Sequence, residues 1–566
     1  MTENKSLNAY YVAFIVLLGV LSFGRTMALN DVAWDDNCWL LSIYSTDNLD
    51  GFLNTGFYEM RRVLMGVFYY YYYLLHKVTD YAFPIWNGFN MLVQSASAIL
   101  IYMFVRRVWK INLLALLSAV SFILCPIDTT LPYYANIAYR LGTMLCILSF
   151  YLTVLAIEGK TRWAMIIGAL IAQIASAYVL LEATIMLEPA RMLMIGYLIW
   201  RKNEGIEIKS LLIKTIAMTA LFALACVPLL VYRVLQKPYG IYGSTYTMNY
   251  LFFLNIKMHL KVIRHLMFYN WFIFAKHISW TTVVSIIIAV CSAIGVLFVA
   301  PKIISTYKPE GASAWRVFYD GLLRYRMLIL IGAALLLFPV MLYEFSGRVP
   351  SRGMEGRHGT ILLFGYSMFF GIVLHALMNS LPRKSAVALL GTFIVLGVFF
   401  NNVNLDLYNK GEEYQKTFWK KFTARFPSLP DNMPLFMDTA DGSPYYNADL
   451  EAYYELEFPA NMLYATSEYP AAFRIHPVYA VSEGVKDDWR NKGHITFTRV
   501  GHSGRDVFDT SKTMFVYYRG GEVYVNSEII SQYPDAPYKM WLDRPAPVLA
   551  ASSSNYPLRH KMAGFY

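Results

Sequence analysis

The chain has 566 residues; 57% are hydrophobic, 15% are charged, and the mean hydropathy is +0.39. That balance excludes a large soluble enzyme and fits a polytopic membrane protein. The net charge of +11 is mostly topogenic, carried by loop lysines and arginines, and implies no nucleic-acid partner.

The first apolar run, "AYYVAFIVLLGVLSFGRTMAL" over residues 9–29, supplies the about 20 apolar residues that a span requires. No small-residue cleavage pattern follows it, so it reads as a retained first helix rather than a cleaved signal peptide. Directly after it comes "NDVAWDDNCW", residues 30–39, with Asp31, Asp35 and Asp36 at what should be the mouth of a membrane helix. The segment "MRRVLMGVFYYYYYLLHKV" (60–78) is short for a span and rich in tyrosine, a residue suited to the membrane–water boundary. It predicts a helix lying at the interface, which leaves His76 and Tyr69–Tyr73 as interface structure.

Further runs lie near 86–105, 111–126, 139–157, 163–181, 184–200, 210–232, 280–300, 327–345, 359–378 and 385–402. Together they predict about eleven transmembrane helices. The loops "VRRVWK", "EGKTR", "RKNEGIEIK", Lys302–Arg326 and "LPRK" are rich in Lys or Arg and alternate so as to share one side. The positive-inside rule makes that side the cytoplasm, which puts Asp31–Phe83 and everything after about residue 403 outside. In the outward segment 233–279, Lys257, Lys261 and Arg264 recur on one helical face among aromatics, the pattern of a basic amphipathic helix on a leaflet. The outward loop "EFSGRVPSRGMEGRHG" (344–359) brings Arg348, Arg352, Arg357 and His358 to the side that the rule depletes of cations.

Beyond residue 403 the composition turns polar, and no spanning run follows. Short alternating pieces, "HITFTRV", "TMFVYYR" and "GEVYVNS", read as strands, with a hairpin around Gly520 and Gly521. The expected organisation is therefore a transmembrane domain over 1–403 and an extracytoplasmic α+β domain over 404–566. Of the five cysteines, only Cys38 and Cys125 are placed to meet on one face, which leaves a disulfide between them open. No metal-ligand spacing is visible.

A carboxylate pair at a membrane boundary, among Trp34, Trp39 and Leu40, feels desolvation and mutual repulsion. One of the two pKa values should then rise toward a range useful for proton abstraction. Such a base suits glycosyl transfer. The plainer alternative is a solvated loop.

The arrangement as a whole resembles the GT-C superfamily of integral-membrane glycosyltransferases, in particular the protein-O-mannosyltransferase-like branch that uses polyprenyl- or dolichyl-phosphate sugars. The resemblance covers roughly residues 9–200. A first helix is followed outside by Asp35-Asp36, then interfacial helices, then "FPIWNGFNMLVQSASAILIYMFVRRVWK" as the second span. "LCPIDTTLPYYANIAYRLGTMLCILSFYLTVLA" (124–156) is similar to the branch's segment joining the third and fourth spans, although "CPID" replaces its His-Pro start. "YVLLEATIMLEPARML" (178–193) looks like its acidic element, with Glu182 at the acidic position and Leu181 in place of the preceding basic residue.

The resemblance implies a GT-C-like fold and an inverting transfer from a polyprenyl-phosphate sugar to an acceptor hydroxyl on a glycan, glycolipid or protein. Asp35 or Asp36 would be the base. Glu182, Arg348, Arg352, Arg357, His358, Arg140, Arg61, Lys257 and Arg264 are the substrate-binding candidates, with Arg62 and Arg191 behind them. Cations there would meet the lipid phosphate; anchoring to anionic headgroups is the alternative. No cofactor is called for, and a divalent cation is left open. The one Asn-x-Ser/Thr sequon, at Asn4, lies on the predicted cytoplasmic side and favours a bacterial plasma membrane. Competing functions are a ligase or polymerase with a diphosphate-linked donor, a lipid-linked sugar flippase, and a membrane-anchored binding protein.

Overall fold

A computed structural model describes residues 2–29, 35–126, 128–159, 161–203, 205–236, 238–239, 264, 271, 282–303, 325–345, 353–429, 434–439, 453–465, 478–480, 494–498, 505–509 and 513–532. The chain divides into two compact units: Met1–Met27, Ile85–Gln236 and Thr247–Asp406 form one, and Ala28–Pro84, Lys237–Tyr246 and Leu407–Tyr566 the other.

In chain order the helices begin with α1 (Thr2–Phe23), α2 (Asp35–Ser45), α3 (Leu49–Asn54), α4 (Val63–Val78) and α5 (Ala82–Trp109). There follow α6 (Asn112–Leu124), α7 (Ile137–Glu158), α8 (Arg162–Ile174), α9 (Glu188–Lys202) and α10 (Ile208–Leu235). The set continues with α11 (Val283–Ile303), α12 (Arg326–Phe345), α13 (Leu362–Ser380) and α14 (Arg383–Arg425).

Among the described residues seven helical stretches are long and apolar enough to cross a membrane: Asn8–Ala28, Ala82–Trp109, Tyr134–Glu158, Arg162–Leu180, Ile208–Tyr232, Leu362–Ser380 and Arg383–Arg425. Asn112–Leu124, Val283–Val296 and Arg326–Met341 are shorter apolar helices. The chain is a multi-pass α-helical membrane protein. The remaining expected run, 184–200, is occupied by α9, where Pro189 sits in the first turn and has no intrahelical donor to lose.

Small residues let the bundle helices approach closely, as packing without a hydrophobic drive between helices requires. A Cβ on Gly371 of α13 would lie 2.4 Å from the Ser118 hydroxyl and 2.8 Å from Ser118 backbone on α6. One on Gly365 would lie 2.6 Å from the Leu336 nitrogen of α12. Beyond α8 the backbone is wound irregularly, as a π-turn over Ala175–Leu180 followed by a 3₁₀ stretch over Glu182–Leu187. The wide turn closes with Leu181 N donating to Ser176 O at 2.7 Å. From it Tyr178 reaches α10 beside Pro228, where its hydroxyl donates to Ala225 O at 2.5 Å and accepts from Leu229 N at 3.1 Å. A side-chain hydroxyl thus takes a place in the backbone ladder of a proline-containing helix.

The second unit gathers α2, α3 and α4 with the C-terminal α+β portion. Asn48 caps α3 by accepting from Gly51 N at 2.8 Å. The C-terminal portion adds β1 (Leu435–Asp438), α15 (Tyr453–Leu463), β2 (Val478–Ala480), β3 (His494–Thr498), β4 (Arg505–Asp509), β5 (Met514–Arg519), β6 (Glu522–Val525) and α16 (Asn526–Gln532). One sheet runs β2-β1-β5-β6, and β3-β4 forms a separate antiparallel pair. β1 is parallel to both β2 and β5. The expected hairpin is present: Arg519 faces Glu522 across Gly520 and Gly521, whose φ values of 57° and 76° suit the two left-handed positions of a tight turn.

Candidate active site

The carboxylate pair opens α2, where acids in the first turn offset the positive end of the helix dipole. The two side chains are not equivalent. Asp36 is 1% exposed and accepts from the buried Tyr73 hydroxyl of α4 at 2.6 Å, whereas Asp35 is half-buried. Burial, and after it the Asp36 charge, pushes the Tyr73 phenol well above its ordinary range, so it stays a donor. One helical turn on, Trp39 stacks on Phe57 with ring centroids 4.4 Å apart and on Tyr69 at 6.0 Å. Tyr44 meets His76 Nδ1 at 2.9 Å, and burial raises the Tyr44 phenol to about 12. Helix α15 packs against α2 and carries the buried Glu457.

Arg61 precedes α4 with φ at 57°, a left-handed conformation that a non-glycine residue adopts at a cost. Its guanidinium lies over the Tyr239 ring, 4.9 Å from the centroid, while Tyr239 N donates to Glu59 O at 3.2 Å.

In the bundle unit a second polar cluster forms where α6 passes into α7. Asp128 and Arg140 make a forked ion pair, Nε to Oδ2 at 3.0 Å and Nη2 to Oδ1 at 3.3 Å, with side chains 3% and 0% exposed. Thr130 donates to Asp128 Oδ1 from its nitrogen at 2.9 Å and from its hydroxyl at 2.6 Å. Thr360 donates to Oδ2 at 3.1 Å, and Arg140 Nη1 donates to Asn90 Oδ1 at 3.4 Å. Next to Arg140, the Tyr139 ring receives the Arg357 guanidinium at 6.0 Å and the edge of the His358 ring at 5.9 Å. Arg357 and His358 lie in the 3₁₀ turn Gly353–Gly359 that leads into α13.

A third cluster is buried among α7, α8, α9 and α10. Arg191 donates to Glu188 at 2.8 Å, to Thr153 at 2.9 Å and to Gln173 at 2.8 Å. The Phe150 and Phe222 rings cover its two sides at 4.2 and 4.3 Å. A fourth joins the 3₁₀ turn Gly24–Ala28 after α1 to α11 and α14, where the buried Asp406 accepts from Arg25 at 2.7 Å, Ser285 at 2.6 Å and the Thr282 hydroxyl at 2.9 Å.

No protein-family model and no curated protein matches the chain. Among solved structures the chain is similar to ArnT from Cupriavidus metallidurans in the apo state, at 10% identity over 94% of this chain and 96% of that one, with a TM-score of 0.32. It is also similar to ArnT from the same organism bound to undecaprenyl phosphate, at 9% identity over 93% and 94%, with a TM-score of 0.38. Likeness at that level assigns neither fold nor activity.

The structure brings Arg140, Arg357 and His358 into one cluster, and Asp35, Asp36 and Arg61 into the other unit. Glu182 is half-buried at the start of the 3₁₀ stretch ahead of α9, and Arg264 is exposed. Asp31, Arg348, Arg352 and Lys257 lie outside the described residues. Sequence reasoning missed Asp128, Glu188 and Tyr73. The first two were legible in principle as acids facing a buried arginine, and Tyr73 was submerged in a run of five tyrosines. The disulfide left open between Cys38 and Cys125 is not formed, and both side chains are buried. Burial, followed by the Asp35 charge, pushes the Cys38 thiol far above its usual range, which keeps it unreactive. The described residues contain no group of three His, Cys, Asp or Glu side chains arranged to hold a metal ion.

Proposed function

We propose that the chain is a GT-C-type integral-membrane glycosyltransferase that moves a sugar from a polyprenyl-phosphate donor to an acceptor hydroxyl, with inversion, on the extracytoplasmic side of a bacterial plasma membrane. The observation that carries the reading is the asymmetry of the acid pair. Asp36 is buried and accepts from Tyr73, while Asp35, the preceding residue at the same helix end, is half-buried.

In this reading Asp35 is the base. It takes the proton of the acceptor hydroxyl as that oxygen bonds to the anomeric carbon and the bond to the lipid phosphate breaks, the electron pair leaving with the phosphate. Asp36 fixes the helix end. Arg357 and His358 remain candidates for the lipid phosphate from the sequence alone, as cations in a loop on the side the positive-inside rule depletes. The donor class, like the protein-O-mannosyltransferase-like branch, comes from the sequence resemblance. The domain after about residue 403 would meet the acceptor.

The test is sugar transfer in membranes from a panel of polyprenyl-phosphate sugars, with extraction and thermal stability followed in parallel. Asp35→Asn should stay folded and lose transfer by about 10²–10⁴-fold. Asp36→Asn should lose stability as well as transfer. Normal transfer by Asp35→Asn removes the base assignment. If wild type transfers from no monophosphate donor but does so from a diphosphate-linked one, the ligase reading replaces this one.

A further inference from the structure

Resting on the glycosyltransferase reading, we propose that Asp128 is a positioning residue for the lipid-phosphate grip, and that Arg140 is its counter-ion rather than a phosphate ligand. The geometry separates the two arginines of this cluster. Arg140 is wholly buried, and its guanidinium is divided among Asp128, Thr130 and Asn90. A phosphate reaching it would have to displace a forked carboxylate already in place. Arg357 is half-buried and rests on the Tyr139 ring.

Asp128 is the residue that joins these parts. Its two oxygens receive donors from Arg140, from Thr130 and from Thr360, which fills the about four acceptor sites of a carboxylate. Through Thr130 and Arg140 it fixes the loop between α6 and α7 and the N-terminal turn of α7, which carries Tyr139. Through Thr360 it fixes the residue that follows the Arg357–His358 turn, where Thr360 N also donates to Arg357 O at 3.2 Å. From α14, Asn404 donates to Thr129 O at 3.1 Å and steadies the same loop. One carboxylate therefore sets the distance between the aromatic platform and the cation laid on it.

The experiment measures binding of a radiolabelled polyprenyl monophosphate to full-length protein in phosphatidylcholine nanodiscs, with the unphosphorylated polyprenol as control, and donor KM and kcat in the same preparation. Asp128→Asn should raise the Kd for the phosphate by about tenfold or more, the loss of one well-placed charge-assisted contact. It should raise donor KM with little change in kcat, and Asp128→Glu should recover most of the loss. Thr360→Val cuts only the tie to the Arg357 turn and leaves the ion pair whole, so it should weaken phosphate binding by about threefold or more with a smaller loss of thermal stability than Asp128→Asn.

A folded Asp128→Asn protein that binds the phosphate as well as wild type, or more tightly because Arg140 has been released to it, overturns the inference. If Asp128→Asn does not fold, Thr360→Val decides: an unchanged Kd sinks the positioning role. Should wild type bind the phosphate no better than the polyprenol, the glycosyltransferase reading fails, and this inference falls with it.

Discussion

Replacing Arg191 by methionine removes a guanidinium that donates from all three of its nitrogens and is covered by a phenyl ring on each side. Two effects compete. The lost ring contacts are worth about 2 kcal/mol each when desolvated, but the methionine sulfur lies against the same rings and restores about 0.3–1.5 kcal/mol. The larger effect is the stranding of Glu188, whose side chain is 11% exposed, as an uncompensated buried charge. Breaking a buried pair in this way costs about 3–5 kcal/mol. Glu188→Met alone strands Arg191 and should cost a similar amount. The double variant removes both charges and should lie within about 1–2 kcal/mol of wild type, because an apolar replacement of a buried pair is often close to neutral. The assay is reversible unfolding in mixed micelles by titration with a denaturing detergent, run as a double-mutant cycle. A single Arg191→Met variant as stable as wild type, or a double variant as damaged as the two singles summed, would refute the reasoning.

Gly371→Ala should destabilise the bundle by about 1–3 kcal/mol, because the new methyl meets Ser118 backbone rather than a flexible tip; the same unfolding titration reads it, and Gly371→Ala matching wild type would mean that α6 and α13 have room to part. Glu59 predicts a pH dependence of known sign. Burial holds its carboxyl above the ordinary carboxylate range, so its contribution to stability is fully present in acid and is lost as pH rises through the raised pKa. Glu59→Gln should therefore gain on wild type as pH climbs from about 4 to 8. A gap in melting temperature that stays constant with pH contradicts the assignment.

Hydropathy located the helices well because a span must satisfy its own backbone and so leaves an uninterrupted apolar run. It was least informative at α9, where the run conceals an ion pair: Glu188 and Arg191 are three residues apart, and each compensates the other's charge in the protein interior. Glu182 stands out in the sequence as an acid beside an apolar run, and the acid that pairs with the buried Arg191 is Glu188. A charge pattern does not say which face of an irregular backbone each side chain will take, and the π-turn over Ala175–Leu180 shifts that register. The hairpin at Gly520 was readable because a two-residue turn with both φ values positive has few permitted sequences. Tyr73 was not, since five consecutive tyrosines carry no period, and only the packing of α4 on α2 decides which hydroxyl finds Asp36.

The Tyr178 hydroxyl in the ladder of α10 makes two distant positions historically dependent on one another. While Pro228 is present, losing the hydroxyl by Tyr178→Phe withdraws a partner from both Ala225 O and Leu229 N. Once Pro228 is replaced by a residue with an amide hydrogen, α10 can close its own bonds, and the tyrosine becomes dispensable. The order of substitution then matters: the path that changes the proline first stays open, and the path that changes the tyrosine first crosses a less stable intermediate. Descendant sequences should more often combine a non-proline at 228 with loss of the tyrosine at 178 than retain the proline without it.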